Sequence, residues 1–304
     1  MWINAIFQNI YAQLKRKLYI LKFFYLTIMK KKEDLFKASW AIVKKNKILF
    51  APNLIILSIN VLLVIALFFL TGLFRLLIEN DPNNIKAIFL SGEFIFFLFL
   101  YLILSTLIDN FFLTMKYGLI KNVLLKKKTN FSNGIKFAKE HYWTTLGIHI
   151  LSFLIIYVPL ILLGIVLFTF LPQNGLIAAA IFIPLMIVYL IFIAIRLLFV
   201  YPTMTFEKKG AYNSLKEDFH FVKTHLHHTM VTWLVILLIG IVTAMIKRGI
   251  EPLQGILFQQ VVFLGFLLAI AIIALEMTVS VWEHVYIFKS YLVGKKRKRK
   301  NKKN

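Results

Sequence analysis

The chain is 304 residues long, 60% hydrophobic and only 16% charged, with a mean hydropathy of +0.79. A soluble domain is about 45–50% apolar and about a quarter charged, so this composition excludes a water-soluble globule, a disordered chain and a disulfide scaffold, and leaves a polytopic membrane protein. The net charge of +23 arises from 36 Lys and Arg against 13 Asp and Glu, gathered at the ends of apolar runs. There the positive-inside bias and anionic headgroups account for it without nucleic acid.

With no cysteine, thiol catalysis and Cys-ligated metals are excluded. Arg is scarce beside Lys, Ile, Phe and Asn, a bias that points to an AT-rich bacterial genome.

Residues 1–33 form a basic N-terminal segment. Leu18 to Met29 is apolar apart from Lys22 and too short to span, which fits an interfacial helix. Lys15, Arg16 and Lys17 resemble the start of a signal peptide, but no small-residue cleavage site follows. Met29, followed by three lysines, Glu33 and Asp34, is an alternative start.

Residues 34–290 form the transmembrane domain, because a span needs about 20 mostly apolar residues and six stretches supply them. Ile48 to Phe74 carries no charge. Ala87 to Met115 follows, with Glu93 near one end and Asp109 near the other. From Glu140 to Arg196 no charged residue intervenes, which is twice too long for one helix. The chain must fold back, and Pro172, Gln173, Asn174 and Gly175 carry the turn chemistry. Spans three and four are thus placed at residues 143–170 and 177–200. Met230 to Ile246 reads as a short fifth span ended by Lys247 and Arg248, and the sixth begins at Leu253. By loop, 31 basic residues fall on one side and four on the other, with Arg196 inside span four, so both termini are expected in the cytoplasm of a cell membrane.

Before each outgoing span lies a polar-apolar stretch of helical length. Aligning Val43, Ala138 and Val222 places Lys44, Lys139 and Lys223 in one column, and Asn46, His141 and His225 in another. The fold expected is all-α: a six-span bundle of three hairpin repeats, each preceded by an amphipathic helix on the cytoplasmic side. In the first stretch Phe36, Trp40 and Val43 mark the apolar face.

Trp40 with Lys44 to Asn46, Gly134 with Ala138 to His141, and Arg196 followed by Pro202, Ala211 and Ser214 carry a resemblance. On them the chain from Asp34 onward resembles a large group of prokaryotic six-span membrane proteins that includes the YciC family and the membrane domain attached to some glycerophosphodiester phosphodiesterases. The resemblance implies fold and membrane location. It implies no phosphodiesterase activity, which resides in a separate soluble domain.

No Walker loop, dinucleotide fingerprint, nucleophile elbow or zincin motif occurs, and nothing calls for a cofactor. His220, His225, His227 and His228 lack an acidic partner at metal-ligand spacing and read as an interfacial cluster rather than a metal site. Asn130-Phe131-Ser132 matches a glycosylation sequon on the wrong side of the membrane. Gly265 and Ala269 make a small-xxx-small step on span six.

A charge at the centre of a span costs about 2.5–3.5 kcal/mol on insertion scales and is seldom left alone. Asp109, Arg196, Glu276 and Glu283 qualify, and all lie on the returning helices. They are expected to form an intramembrane polar network in which Arg196 pairs with one or more of the acids. Residues 291–304 read as a disordered basic tail, with Lys295, Lys296, Arg297, Lys298, Arg299 and Lys300 contacting anionic lipid.

Together these features point to a multi-pass membrane protein without catalytic activity that binds lipid or a partner protein. The alternative is a transporter of a small or lipidic solute, for which Pro159 and Pro184 near mid-span would mark broken helices. The topology predicts that a cysteine introduced at Asn174 is labelled by an impermeant maleimide from outside the cell. Labelling from the cytoplasmic side alone would refute the six-span arrangement.

Overall fold

The structure, a computed structural model, describes residues 33–74, 88–170 and 175–301. The N-terminal segment through residue 32, the Pro172 to Asn174 part of the turn and residues 302–304 lie outside them.

All regular elements among the described residues are helical. Helix α1 covers residues 33–45, and a 3-10 turn at Lys47–Phe50 leads into α2 (Ala51–Leu70). Then follow α3 (Gly92–Leu124), α4 (Phe131–Phe170), α5 (Gly175–Arg196), the short α6 (Val200–Glu207) and α7 (Ala211–Thr224). The last two are α8 (Leu226–Gln260) and α9 (Val262–Asn301).

Local chemistry explains several starts. Pro52 stands in the first turn of α2, where its missing N–H costs nothing. Ser91 caps α3 by accepting from the Phe94 N–H at 3.1 Å. Asn130 does the same for α4, accepting from the Asn133 N–H at 2.8 Å.

Six helical stretches are long and apolar enough to cross a bilayer. The chain is therefore a multi-pass helical membrane protein. Leu62, Phe96, Phe170, Val188 and Phe263 are each more than 60% exposed, which only hydrocarbon solvates without penalty. At 40 residues each, α4 and α9 measure about 60 Å, twice the hydrocarbon thickness. Their excess length, with α1, α6 and α7, builds the packed core at one end of the bundle. Leu35, Val43, Met115, Ile120, Ala138, Met204, Leu215, Val285 and Phe288 meet there. We call this the basic end.

The three stretches before the outgoing spans bury the same aligned positions. Val43, Ala138 and Val222 are at most 2% exposed, and one turn earlier Ser39, Gly134 and Asp218 are buried too. In α1 the buried line is Leu35, Ser39 and Val43, whereas Phe36 and Trp40 are 40% and 46% exposed. The middle stretch is continuous with its span as the first turns of α4, while Asn46 and His225 interrupt the other two.

The last hairpin differs from the sequence expectation. Helix α8 does not stop at Lys247 and Arg248 but continues through Pro252 to Gln260, with the turn at Val261. The reason is an ion pair: Lys247 Nζ lies 2.7 Å from Glu276 Oε1 on α9, so its charge is met by the facing helix and need not end the span. Helix α9 also runs on to Asn301, through most of the stretch expected as a tail. Both Pro159 and Pro184 sit inside unbroken helices.

Helices α3 and α4 pack most closely at two glycines. A Cβ on Gly118 would stand 2.6 Å from Phe137, and one on Gly134 would stand 2.9 Å from Met115 and Leu119. Asn110 Nδ2 adds a hydrogen bond to the Tyr142 carbonyl at 3.2 Å. Gly118→Ala is therefore expected to lose about 1–3 kcal/mol by overpacking, read as a lowered Tm in detergent, while Gly240→Ala, where a Cβ meets nothing within 4 Å, changes little.

Candidate functional site

Two concave sites lie on α3 and α9, one at the basic end and one inside the spans. The first is a pocket of about 840 Å³ between α1, the end of α3 and the far part of α9. Its floor is apolar, made by Ile42, Ile48, Val123, Leu124, Leu292 and Val293. Around it stand Lys45, Lys126, Lys127, Lys289 and Lys296, and no acidic side chain lines it among the described residues.

Lys126 holds an unusual conformation. Its φ is +56°, in the left-handed region that normally favours glycine at a helix end. The geometry closes α3, with the Lys126 N–H donating to the Val123 carbonyl at 3.0 Å and the Lys127 N–H to Asn122 at 2.9 Å. A lysine here costs about 1 kcal/mol relative to glycine, so its ammonium, not its backbone, suits the position. Lys208, with φ +54°, repeats the arrangement at the end of α6. Its neighbour Lys209 bonds Glu217 at 2.8 Å, which holds the Glu217 carboxyl below its usual range.

The second site is a cleft of about 440 Å³ over α3, between α2 and α9. Asn53, Asn60, Asp109, Lys116, Glu276 and Ser280 line it together with Ile56, Leu57, Leu113 and Met277. Asn60 Nδ2 donates to Asp109 Oδ1 at 3.1 Å, while the buried Asn60 Oδ1 has no donor among the described residues.

Of the four charges expected in one network, Asp109 and Glu276 share this cleft. Glu283 stands outside its lining and acts on Lys116 through space. Arg196 stands apart from all three. It closes α5, where a cation suits the helix C-terminus, and its guanidinium lies 5.1 Å from the Phe192 ring centre and 6.0 Å from that of Phe219. The acid it attracts is Asp218 of α7, fully buried beside the Phe199 backbone N–H.

Of the expected lipid-contacting lysines, Lys296 lines the basic pocket and Lys295 pairs with Glu207, which also accepts from the Tyr291 hydroxyl at 3.0 Å. The side chains of Arg297, Lys298, Arg299 and Lys300 lie outside the described residues.

Of the clustered histidines, His220 and His227 are exposed, whereas His228 acts in packing. His228 is buried, with Nε2 at 3.0 Å from the Ser290 carbonyl, and Thr232 Oγ1 meets Ser290 Oγ at 2.8 Å, joining α8 to α9. Among the described residues no cluster of His, Asp and Glu could hold a metal.

Comparison with protein-family models, with curated proteins and with solved structures finds no match to this chain.

Reading the sequence did not reveal Lys116, Asn60, Asp218 or Lys126. Asn60 carries a signal, an amide that with Asn53 interrupts the apolar run of span one. Lys116 reads from the sequence as one of the basic residues flanking span two, because burial cannot be read from its neighbours.

Burial pushes the Asp218 carboxyl well above its ordinary range, against the opposing pulls of Phe199 and Arg196. A carboxyl whose folded pKa is raised binds more protons folded than unfolded, so its contribution falls as pH climbs past about 4 toward the folded value. Asp218→Asn should therefore raise Tm at pH 7.5 more than at pH 5 and flatten the pH dependence. A strong drop in Tm at both would instead mean that the charge pair with Arg196 holds the helix.

Proposed function

We propose that this protein is a non-catalytic component of the cell membrane that binds anionic lipid at its basic end, with that end and both termini in the cytoplasm. The observation that carries the reading is the pocket in which five lysines surround an apolar floor without an acid among the described residues. Such a pocket suits phosphate oxygens at its rim and the first methylenes of an acyl chain against Ile42, Val123 and Leu292. Each basic residue near an anionic surface contributes about 1 kcal/mol. The excess of positive residues at this end supports its cytoplasmic placement.

The resemblance to the YciC-like six-span group is compatible with this role and adds no activity. Transport is the less favoured reading, because α4 and α5 continue unbroken through Pro159 and Pro184, whereas transporter sites are commonly framed by interrupted helices.

Lys126 separates binding from folding. Lys126→Gly removes one cation and relieves the left-handed backbone, so it should stabilise the protein by about 1 kcal/mol while weakening binding to phosphatidylglycerol about fivefold at low salt. Lys127→Ala and Lys289→Ala should each weaken it similarly. Native mass spectrometry with phosphatidylglycerol against phosphatidylcholine, together with a Tm, measures both effects. Unchanged lipid affinity in all three variants would overturn the assignment.

A further inference from the structure

The intramembrane cleft takes no part in the headgroup pocket, and its polar groups are incompletely matched. Lys116 is only 3% exposed, yet it lines the cleft. Among the described residues no hydrogen bond or ion pair within 4 Å holds its ammonium, and Glu283 acts on it only through space. A buried cation without a hydrogen-bonded partner is costly.

Asp109 has one oxygen on Asn60, and Asn60 Oδ1 is a buried acceptor with no donor among the described residues. The cleft thus offers one cationic donor, Lys116, at one end and open acceptors at the other. Lys116 and Asp109 are seven residues apart on α3, about 10 Å. Side chains on a helix lean toward its N-terminus, so the long Lys116 side chain leans back toward Asp109 and narrows that gap. Ile56, Leu57 and Leu113 supply apolar walls, and every lining residue belongs to one of the candidate membrane-spanning helices.

We propose that this cleft receives the headgroup of an aminophospholipid from the adjoining leaflet, its phosphate on Lys116 and its primary ammonium between Asp109 and Asn60 Oδ1. A purely anionic headgroup would answer Lys116 but leave the acceptors unmatched beside a carboxylate. A choline headgroup has no N–H to give Asn60 or Asp109. The cleft volume of about 440 Å³ lies within the usual range of small-ligand sites, about 300–1,000 Å³. This inference stands independently of the basic pocket.

The test is a titration of delipidated protein in detergent with phosphatidylethanolamine, phosphatidylcholine and phosphatidylglycerol of matched chains, and with free phosphoethanolamine, counted by native mass spectrometry. Phosphatidylethanolamine is expected to bind at least tenfold more tightly than phosphatidylcholine, and free phosphoethanolamine not at all over the same range. Lys116→Met and Asp109→Asn should each lower its affinity at least tenfold and leave phosphatidylglycerol binding intact, whereas Lys126→Gly should weaken phosphatidylglycerol binding about fivefold and leave phosphatidylethanolamine binding intact. Asn60→Ala keeps both charges and supplies the same readout if a charge variant fails to fold. Equal binding of ethanolamine and choline lipids, unchanged affinity in the folded variants, or equally tight binding of free phosphoethanolamine would each overturn the proposal.

Discussion

The close approach of α3 and α4 at Gly118 and Gly134 determines where every other group at the basic end can lie. With Phe137 against one glycine and Met115 and Leu119 against the other, the two helices interlock over two turns, and their long ends are carried out of the bilayer as one unit. Helix α1, the 3-10 turn, α6, α7 and α9 then pack around this pair. In hydrocarbon, apolar burial gives helices little reason to associate, because lipid tails are as apolar as leucine. Beyond it the hydrophobic effect returns. That contrast explains why the buried residues concentrate at the basic end while the outer lengths of the spans remain coated with exposed Phe, Leu and Ile.

Charge is handled in three different ways along the same spans. Glu276 and Lys247 neutralise each other between facing helices of the last hairpin, which lets α8 pass a cation without stopping. Arg196 sits at a helix end over two aromatic rings, where the dipole, the ring faces and buried Asp218 share its charge. Lys116 alone is sunk into a cleft whose other polar groups stand at a distance. A single buried network would have tied the returning helices together; three separate solutions leave one polar cleft between α2, α3 and α9.

The architecture was legible because hydropathy measures the property the bilayer selects: six apolar runs, their polar interruptions and the columns headed by Val43, Ala138 and Val222 all follow from the chain itself. The end of the fifth span was misplaced because Lys247 reads as a terminator only while Glu276, 29 residues away, is out of view. The network around Arg196 was assembled from depth alone. Depth places Arg196 near the level of Asp109 and Glu283 but says nothing of which face of the bundle each occupies. The same blindness hid Lys116, whose burial depends on α2 and α9 closing over it, and Lys126, whose left-handed φ leaves no trace in composition. Side-chain periodicity finds faces; it does not find which helices those faces meet.

The two sites share their supporting helices: α3 supplies Asp109 and Lys116 to one and Val123 and Leu124 to the other, with Lys126 and Lys127 just past its end, and α9 supplies Glu276 and Ser280, then Lys289 and Lys296. Lys116 and Lys126 are ten residues apart, with the end of α3 at Leu124 between them, and salt screens the exposed pocket charges over a Debye length of about 8 Å but screens the buried Lys116 much less. Lys116, buried and beside Glu283, answers first to its own walls. Helix α9 runs continuously past both sites, whereas α3 ends at Leu124, where left-handed Lys126 turns the chain at the basic pocket. Coupling between sites requires an element with two arrangements that both ligands bias; α3 and α9, which line both the cleft and the pocket, are the elements through which such coupling would have to act.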